Sequence, residues 1–267
     1  MLGSSRKSYE TASTSLADRS GDLDALSEKL LAVSTIVGSS ASLRGALSDS
    51  GSPEGARVAL ARSVFEGKTD GAALDVLGEV VGLRWRTPAD LVDAIEGLGV
   101  EAALIAAERA GRLDAIEDEL FRVDRIVAGN EPLRQTLADP LVDDDAKAAL
   151  LRDVLGGRTD ELTLRLVSHV VAHPRGRRLE AALADLVATS AKRRERLLAQ
   201  VRVAAPLTDD QQTRLAAALG RIYRHPVDLQ VDVDESTRGG VVVQVGDEVI
   251  DGSIGARIEQ IRRRMDV

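Results

Sequence analysis

Three side chains are histidines, His169, His173 and His225, and two of them carry the most suggestive spacing in the chain. His169 and His173 are four residues apart, which puts both imidazoles on one face of a helix and supplies the minimal geometry for a transition metal. Two ligands do not complete a site. No cysteine is available to assist, and His173 abuts Pro174, where a helix must end. The pair therefore reads as interfacial or surface histidines. Gly67-Lys68-Thr69 has the ending of a phosphate-binding loop, but the glycine such a loop needs five positions earlier is Arg62. Asp143-Asp144-Asp145 offers three carboxylates, which as consecutive residues of a helix point in three directions. A helix N-terminus accounts for them, because its dipole favours negative charge. Ser168-His169 are neighbours pointing apart, so they make no nucleophile and base pair. No arrangement in the chain performs bond chemistry, and neither a metal nor a cofactor is expected.

The elements that carry these residues follow from composition. The 267 residues are 44% hydrophobic and 29% charged, with only 2% aromatics, so Leu, Val, Ile and Ala must fill the core. That composition favours helices. A formal charge of −8 argues against default affinity for nucleic acid or anionic lipid, both of which require an excess of Lys and Arg. The absence of cysteine excludes disulfides and thiol nucleophiles. No run approaches the roughly 18 apolar residues of a membrane helix, and Met1 to Tyr9 is too polar for a signal peptide. Any membrane contact is expected through partners, and the cytosol is the expected compartment.

Sliding the sequence by 90 positions exposes a duplication. LADRSGDLDALSEKL, from Leu16, falls on AAERAGRLDAIEDEL, from Ala106, and the register holds without a gap to Val81 and Val171. About 25 of those 66 pairs are identical, far above chance. Within each copy the period is helical. Leu23, Leu26, Leu30, Val33 and Val37 step by three or four, as do Leu113, Ile116, Leu120, Val123 and Val127, so each copy buries one apolar stripe. Pro53 and Asp143 to Asp145 mark the start of a fourth helix in each copy, and Gly67 and Gly157 mark its stop. Five or six short helices per copy are expected. Between Pro88 and Ala110 the only interruptions are Gly97 and Gly99, so the last helix of copy one is predicted to run into the first of copy two, coupling them stiffly.

Beyond residue 190 the pattern changes. An amphipathic helix through Leu179, Leu183, Leu186 and Val187 runs into Lys192-Arg193-Arg194 and an alternating strand at Val201 and Val203. Thr208 and Gln211 form a capping box that predicts a helix from Asp209 to about Arg221. Val227, Leu229, Val231 and Val233 alternate as a half-buried strand, Val241 to Val245 is another, Gly246-Asp247 makes a tight turn into Val249-Ile250, and a last helix spans Ile254 to Met265. Arg175, Arg177 and Arg178, with Lys192 to Arg194 and Arg196, form a basic region suited to an acidic partner or to a solvated helix face. The lone Trp85 is expected on a helix, partly buried. The predicted fold is mainly α: residues 1–99 a first helical bundle, 100–195 a second ending in a long connecting helix, and 196–267 a small α/β domain.

The tail sequence, Pro206-Leu207-Thr208, the strand ending Val231-Asp232-Val233-Asp234, and Gly239-Gly240 through Asp251-Gly252-Ser253-Ile254 with its closing basic helix, resembles the C-terminal signature of the delta subunit of bacterial F-type ATP synthases. The mitochondrial relative of that family is the oligomycin sensitivity-conferring protein. Copy two resembles the family's N-terminal six-helix bundle through AERAGRLDAIEDEL, Asn130-Glu131-Pro132-Leu133-Arg134 and Asp139-Pro140-Leu141, so the direct match covers about residues 100 to 267. Removing one 90-residue repeat leaves 177, about the length of a single-copy delta subunit, and duplicated forms resemble those of high-GC actinobacteria.

The resemblance implies a non-catalytic stator component on the cytoplasmic face of the plasma membrane. Its helical part would hold the N-terminal segment of an alpha subunit of the catalytic head, and its C-terminal domain would grip the b stalk. In the family the alpha helix lies between the first and fifth bundle helices. By that analogy the groove is lined from Tyr9 to Leu16 and Leu74 to Val81 in copy one, with Tyr9, Leu16, Leu74, Leu77 and Val81 as contacts. In copy two it is lined from Ala103 to Ala110 and Leu164 to Val171, with Leu104, Leu164, Val167 and Val171. The family's first-helix tyrosine matches Tyr9, while the copy-two counterpart is Gly99. A free helical-repeat adaptor is the alternative reading. An RNA-binding tail would need aromatics on its sheet, and the tail has only Tyr223, on a predicted helix.

Overall fold

The structure is a computed structural model and describes residues 1, 3–155, 157, 159–194, 197–223, 227–234, 240–245 and 248–251. The predicted helix from Ile254 to Met265, the Gly246-Asp247 turn, Gly239 and His225 lie outside the described residues. The chain divides into two units, Met1–Ala191 and Lys192–Val267.

The first unit is built of helices: α1 (Ser4–Ala17), α2 (Leu23–Ser39), α3 (Ala41–Ser48), α4 (Glu54–Phe65), α5 (Gly71–Gly82), α6 (Pro88–Arg109), α7 (Leu113–Gly129), α8 (Glu131–Ala138), α9 (Asp144–Leu155), α10 (Glu161–Ala172) and α11 (Leu179–Arg194), whose last turn passes the unit boundary. Helix starts repeat at the 90-residue offset. Ser40 and Asn130 accept the amides of Leu43 and Leu133, and Asp70 and Asp160 accept those of Ala73 and Leu162. Each such cap satisfies a backbone donor left free by the helix end. The stops repeat too: Gly67 and Gly157 both have positive φ, 77° and 63°, where a side chain would be strained. The Thr87 hydroxyl caps α6, with Pro88 in its first turn.

Two hydrophobic cores result. The first gathers Leu16, Leu30, Phe65, Leu77, Val81 and Leu91, and the second Leu104, Ile116, Leu120, Leu137, Val167 and Leu183. α6 is one unbroken helix of 22 residues that feeds both, with Leu91, Ile95 and Leu98 in the first core and Val100, Ala103, Leu104 and Ala107 in the second. The predicted continuity is therefore present, and the bundle boundary expected at residues 99–100 falls inside this shared helix. Trp85 departs from expectation. It sits in the segment between α5 and α6, buried in the first core, with its Nε1–H donating to Val80 O at 2.8 Å. Buried Arg57 satisfies the end of α5: its Nε donates to Val81 O at 2.8 Å and its Nη2 to Gly82 O at 2.8 Å, while Nη1 donates to Ser52 O at 2.6 Å.

The second unit holds β1 (Leu197–Val203), α12 (Asp209–Tyr223), β2 (Val227–Val233), β3 (Val241–Val245) and β4 (Glu248–Asp251) in a sheet ordered β2-β1-β3-β4. β1 pairs parallel with β2, the connection running through α12, and antiparallel with β3, in register Val201↔Val231 and Val201↔Val243. The capping box forms as its residues dictate: Thr208 N–H donates to Gln211 Oε1 at 2.9 Å and Gln211 N–H to Thr208 Oγ1 at 3.3 Å. Ala199, Val201, Val203, Val243 and Val245 pack with Leu219 of α12 as the core of this unit.

Candidate functional site

The candidate contacts gather along α6, with first-bundle helices on one part of it and second-bundle helices on the other. On α1, Tyr9 is half-buried and its hydroxyl donates to Glu101 Oε1 at 2.7 Å, while Ser13 Oγ donates to the other oxygen, Oε2, at 2.6 Å. Burial and the Glu101 charge raise the Tyr9 phenol well above its usual value, so it stays a neutral donor. Gly97 allows this approach, since a Cβ there would stand 2.7 Å from the Tyr9 hydroxyl. Leu16, Leu77 and Val81 are buried in the first core, with Leu74 packed half-buried against it. Leu104, Leu164, Val167 and Val171 belong to the second core. The side chains exposed beside the first-bundle set are polar: Thr11 on α1, and Asp75 and Glu79 on α5. Glu79 joins the two helices by accepting from Ser15 at 2.8 Å and pairing with Arg19.

Sequence reasoning missed the contact between α2 and the second bundle. α2 buries the expected stripe in the first core and a second stripe besides, Ser27, Leu31 and Ser34. Leu31 belongs to the second core. It crosses α6 at Gly99, where a Cβ would lie 3.0 Å from Leu31 Cδ2 and 3.3 Å from the Leu31 backbone nitrogen. Farther along, Arg165 of α10 pairs with Asp24 and, at 2.9 Å, with Glu28 of α2. The signal was present in the repeat: the Gly99 counterpart is Tyr9, and a tyrosine at residue 99 would occupy the space of Leu31.

The basic region is partly spoken for within the chain. Arg175 pairs with Asp93 at 2.8 Å and with Glu96, and Arg177 pairs with Glu96 at 2.9 Å, both acids being on α6. Glu96 is buried, and an unpaired carboxylate there would be costly, so these arginines neutralise α6 instead of awaiting an acidic partner. His169 and His173 stack with ring centroids 4.8 Å apart. Burial first, then the His173 and Arg177 charges, lower His169 to about 4, leaving it neutral at physiological pH. Gly67-Lys68-Thr69 forms the turn after α4, with Lys68 N–H donating to Phe65 O at 2.9 Å. The following helix N-terminus is already taken by the Asp70 carboxylate, which leaves no cradle for a phosphate. Asp143 behaves as a helix start, accepting the Asp145 amide at 2.9 Å.

Comparison with known proteins agrees with the repeat. Residues 100–265 match the family described as ATP synthase delta (OSCP) subunit, which takes in the second bundle and the tail. Full-length relatives extend across the first bundle as well. The ATP synthase subunit delta of Streptomyces avermitilis is 46% identical over 91% of this chain and 89% of its own length. That of Streptomyces coelicolor is 42% identical over 99% and 98%. That of Acidothermus cellulolyticus is 43% identical over 89% and 86%. With a family model covering more than half of its length and relatives of this identity spanning nearly all of it, the chain belongs to the ATP synthase delta (OSCP) family.

Proposed function

We propose that this chain is the stator link of an F-type ATP synthase: a non-catalytic peripheral-stalk subunit that holds the N-terminal segment of an alpha subunit on the catalytic head and the b stalk at its tail. The observation that carries this reading is the family match over residues 100–265, extended by relatives that span both bundles. The physical design of the helical unit supports it. A link that resists rotor torque must not bend, and here both bundles are built on one helix, α6, cross-braced by Glu96 with Arg175 and Arg177 and by Arg165 with Asp24 and Glu28. Glu96 and Arg165 are each held by two partners, which fixes their geometry better than a lone surface pair. The mode of head recognition is a helix laid along two bundle helices. Binding that survives torque is expected at nanomolar affinity or tighter, about −12 kcal/mol. The subunit reaches the membrane only through the complex, on its cytoplasmic face, and takes no nucleic acid.

The test is co-sedimentation with delta-depleted catalytic heads, intact or clipped at their alpha N-termini, at physiological salt. Binding is expected to intact heads and to be lost on clipping. Equal binding to clipped heads refutes the alpha contact, and no binding to intact heads refutes the stator reading.

A further inference from the structure

We propose that α2 is the resident occupant of the second bundle's helix groove, so that the second bundle is closed to a partner helix and head docking falls to the α1–α5 face of the first bundle. The inference rests on the stator reading and assigns its contact to one of two homologous surfaces. It stands on a difference between repeats that share a sequence but not an environment. α2 and α7 are the same helix of the two copies, and both bury the stripe that faces their own bundle. Only α2 buries a second stripe. At Ser27, Leu31 and Ser34 it is covered, whereas the α7 counterparts are Glu117, Phe121 and Asp124, with Phe121 55% exposed.

What covers that stripe is the seam of α6 and α10, the second bundle's first and fifth helices. Gly99 receives Leu31, Arg165 receives Asp24 and Glu28, and the end of α2 shares a cleft with His169 and His173 through Ser34 and Thr35. This is helix-in-groove binding carried out within one chain, with an apolar anchor and a charge clamp. Because α2 is tethered and folded into the first core, a helix arriving from solution competes with a partner of very high effective concentration.

The first bundle's seam lacks this chemistry. The positions equivalent to Gly99, Ala103, Leu104 and Arg165 are Tyr9, Ser13, Thr14 and Asp75. No internal helix covers that seam among the described residues, and it presents Thr11 and Asp75 to solvent.

The natural chain has no cysteine, which makes the test clean. The double variant Glu28→Cys with Arg165→Cys is joined by a short bismaleimide, tying α2 to α10, and binding to delta-depleted heads is compared for wild type, unlinked variant and linked variant. A second variant, Thr11→Arg with Asp75→Arg, places two charges on the exposed first-bundle face, with folding checked by circular dichroism. The linked protein is expected to bind within twofold of the unlinked one, and the Thr11→Arg, Asp75→Arg protein at least tenfold more weakly than wild type. A tenfold loss confined to the linked protein overturns the proposal, because it means that the head displaces α2. Unchanged binding by the Thr11→Arg, Asp75→Arg variant overturns the first-bundle assignment. Failure of wild type itself to bind intact heads is a different result, and it removes the stator reading on which the assignment rests.

Discussion

Leu31 and Phe121 occupy the same repeat position, and truncating each to alanine measures how far the two copies have diverged. Leu31 is 4% exposed and belongs to the second core although its helix belongs to the first bundle. Leu31→Ala removes three carbons from that contact, which at about 0.8 kcal/mol per buried CH2 is about 2.4 kcal/mol. The hole left between α2 and α6 adds a cavity term, bringing the expected loss to about 3 kcal/mol, within the usual range for buried leucines. For a unit of this size that corresponds to a fall in Tm of about 6–12 °C. Phe121→Ala removes a larger side chain, yet Phe121 is 55% exposed, so the change is expected to stay within about 0.5 kcal/mol. Urea denaturation of the full chain, followed by circular dichroism at 222 nm, reads both. Helical signal reports chiefly the first unit, which holds α1 to α10 and most of α11, whereas the described residues of the second hold one full helix, α12. If Leu31→Ala costs no more than Phe121→Ala, α2 does not pack on the second bundle in solution and the groove argument falls with it.

Two further outcomes follow from buried charge and burial of histidine. Arg57→Met keeps the aliphatic stem but leaves the Val81 and Gly82 carbonyls without their donor; a loss of about 2–4 kcal/mol is expected in the same urea titration, and a neutral result would mean that water replaces the guanidinium. His169 has a folded-state value of about 4 against about 6.5 unfolded, so between those pH values the unfolded chain binds more protons and stability falls as pH drops. The full gap corresponds to about 3 kcal/mol lost by pH 4, and His169→Gln is expected to flatten the pH 6.5 to 4 limb of the stability curve by up to that amount, an unaltered limb refuting the assignment.

Most of the architecture was legible because the repeat writes its punctuation twice. Pro53 and Asp143, Gly67 and Gly157, and the stripes from Leu23 and from Leu113 each serve the same local purpose in both copies, and local chemistry does not depend on what lies across the interface. The capping box at Thr208 and Gln211 was legible for the same reason. Trp85 was misplaced onto a helix because Pro88, rather than an earlier residue, sets the start of α6, and the helix before it ends at Gly82. The arginines at 175 and 177 read as a basic patch because their partners, Asp93 and Glu96, lie some 80 residues earlier, where no periodicity links them. For the grooves, the candidate residues Leu16, Leu77, Val81, Leu104, Val167 and Val171 are among the most buried of the chain. Helical spacing identifies an apolar face, but it does not separate the face that packs inward from the seam beside it.

The divergence of the two seams also bears on contacts between copies of this chain. If α2 of copy one fits the seam of copy two, then α7 of a neighbouring molecule offers the same helix to the seam of copy one. α7 keeps the acidic clamp residues, Asp114 and Asp118 standing where α2 has Asp24 and Glu28. The receiving seam does not keep its cation at that position, since Asp75, paired with Arg62 at 3.5 Å, stands where the second seam has Arg165. Nor does it keep the glycine, since Tyr9 stands at the position equivalent to Gly99, with its hydroxyl donating to Glu101. A surface that accepted α7 would make a heterologous contact with no closure and would string copies into fibres. One charge reversal and one bulky residue oppose that contact, on the face proposed above to take the helix of the head.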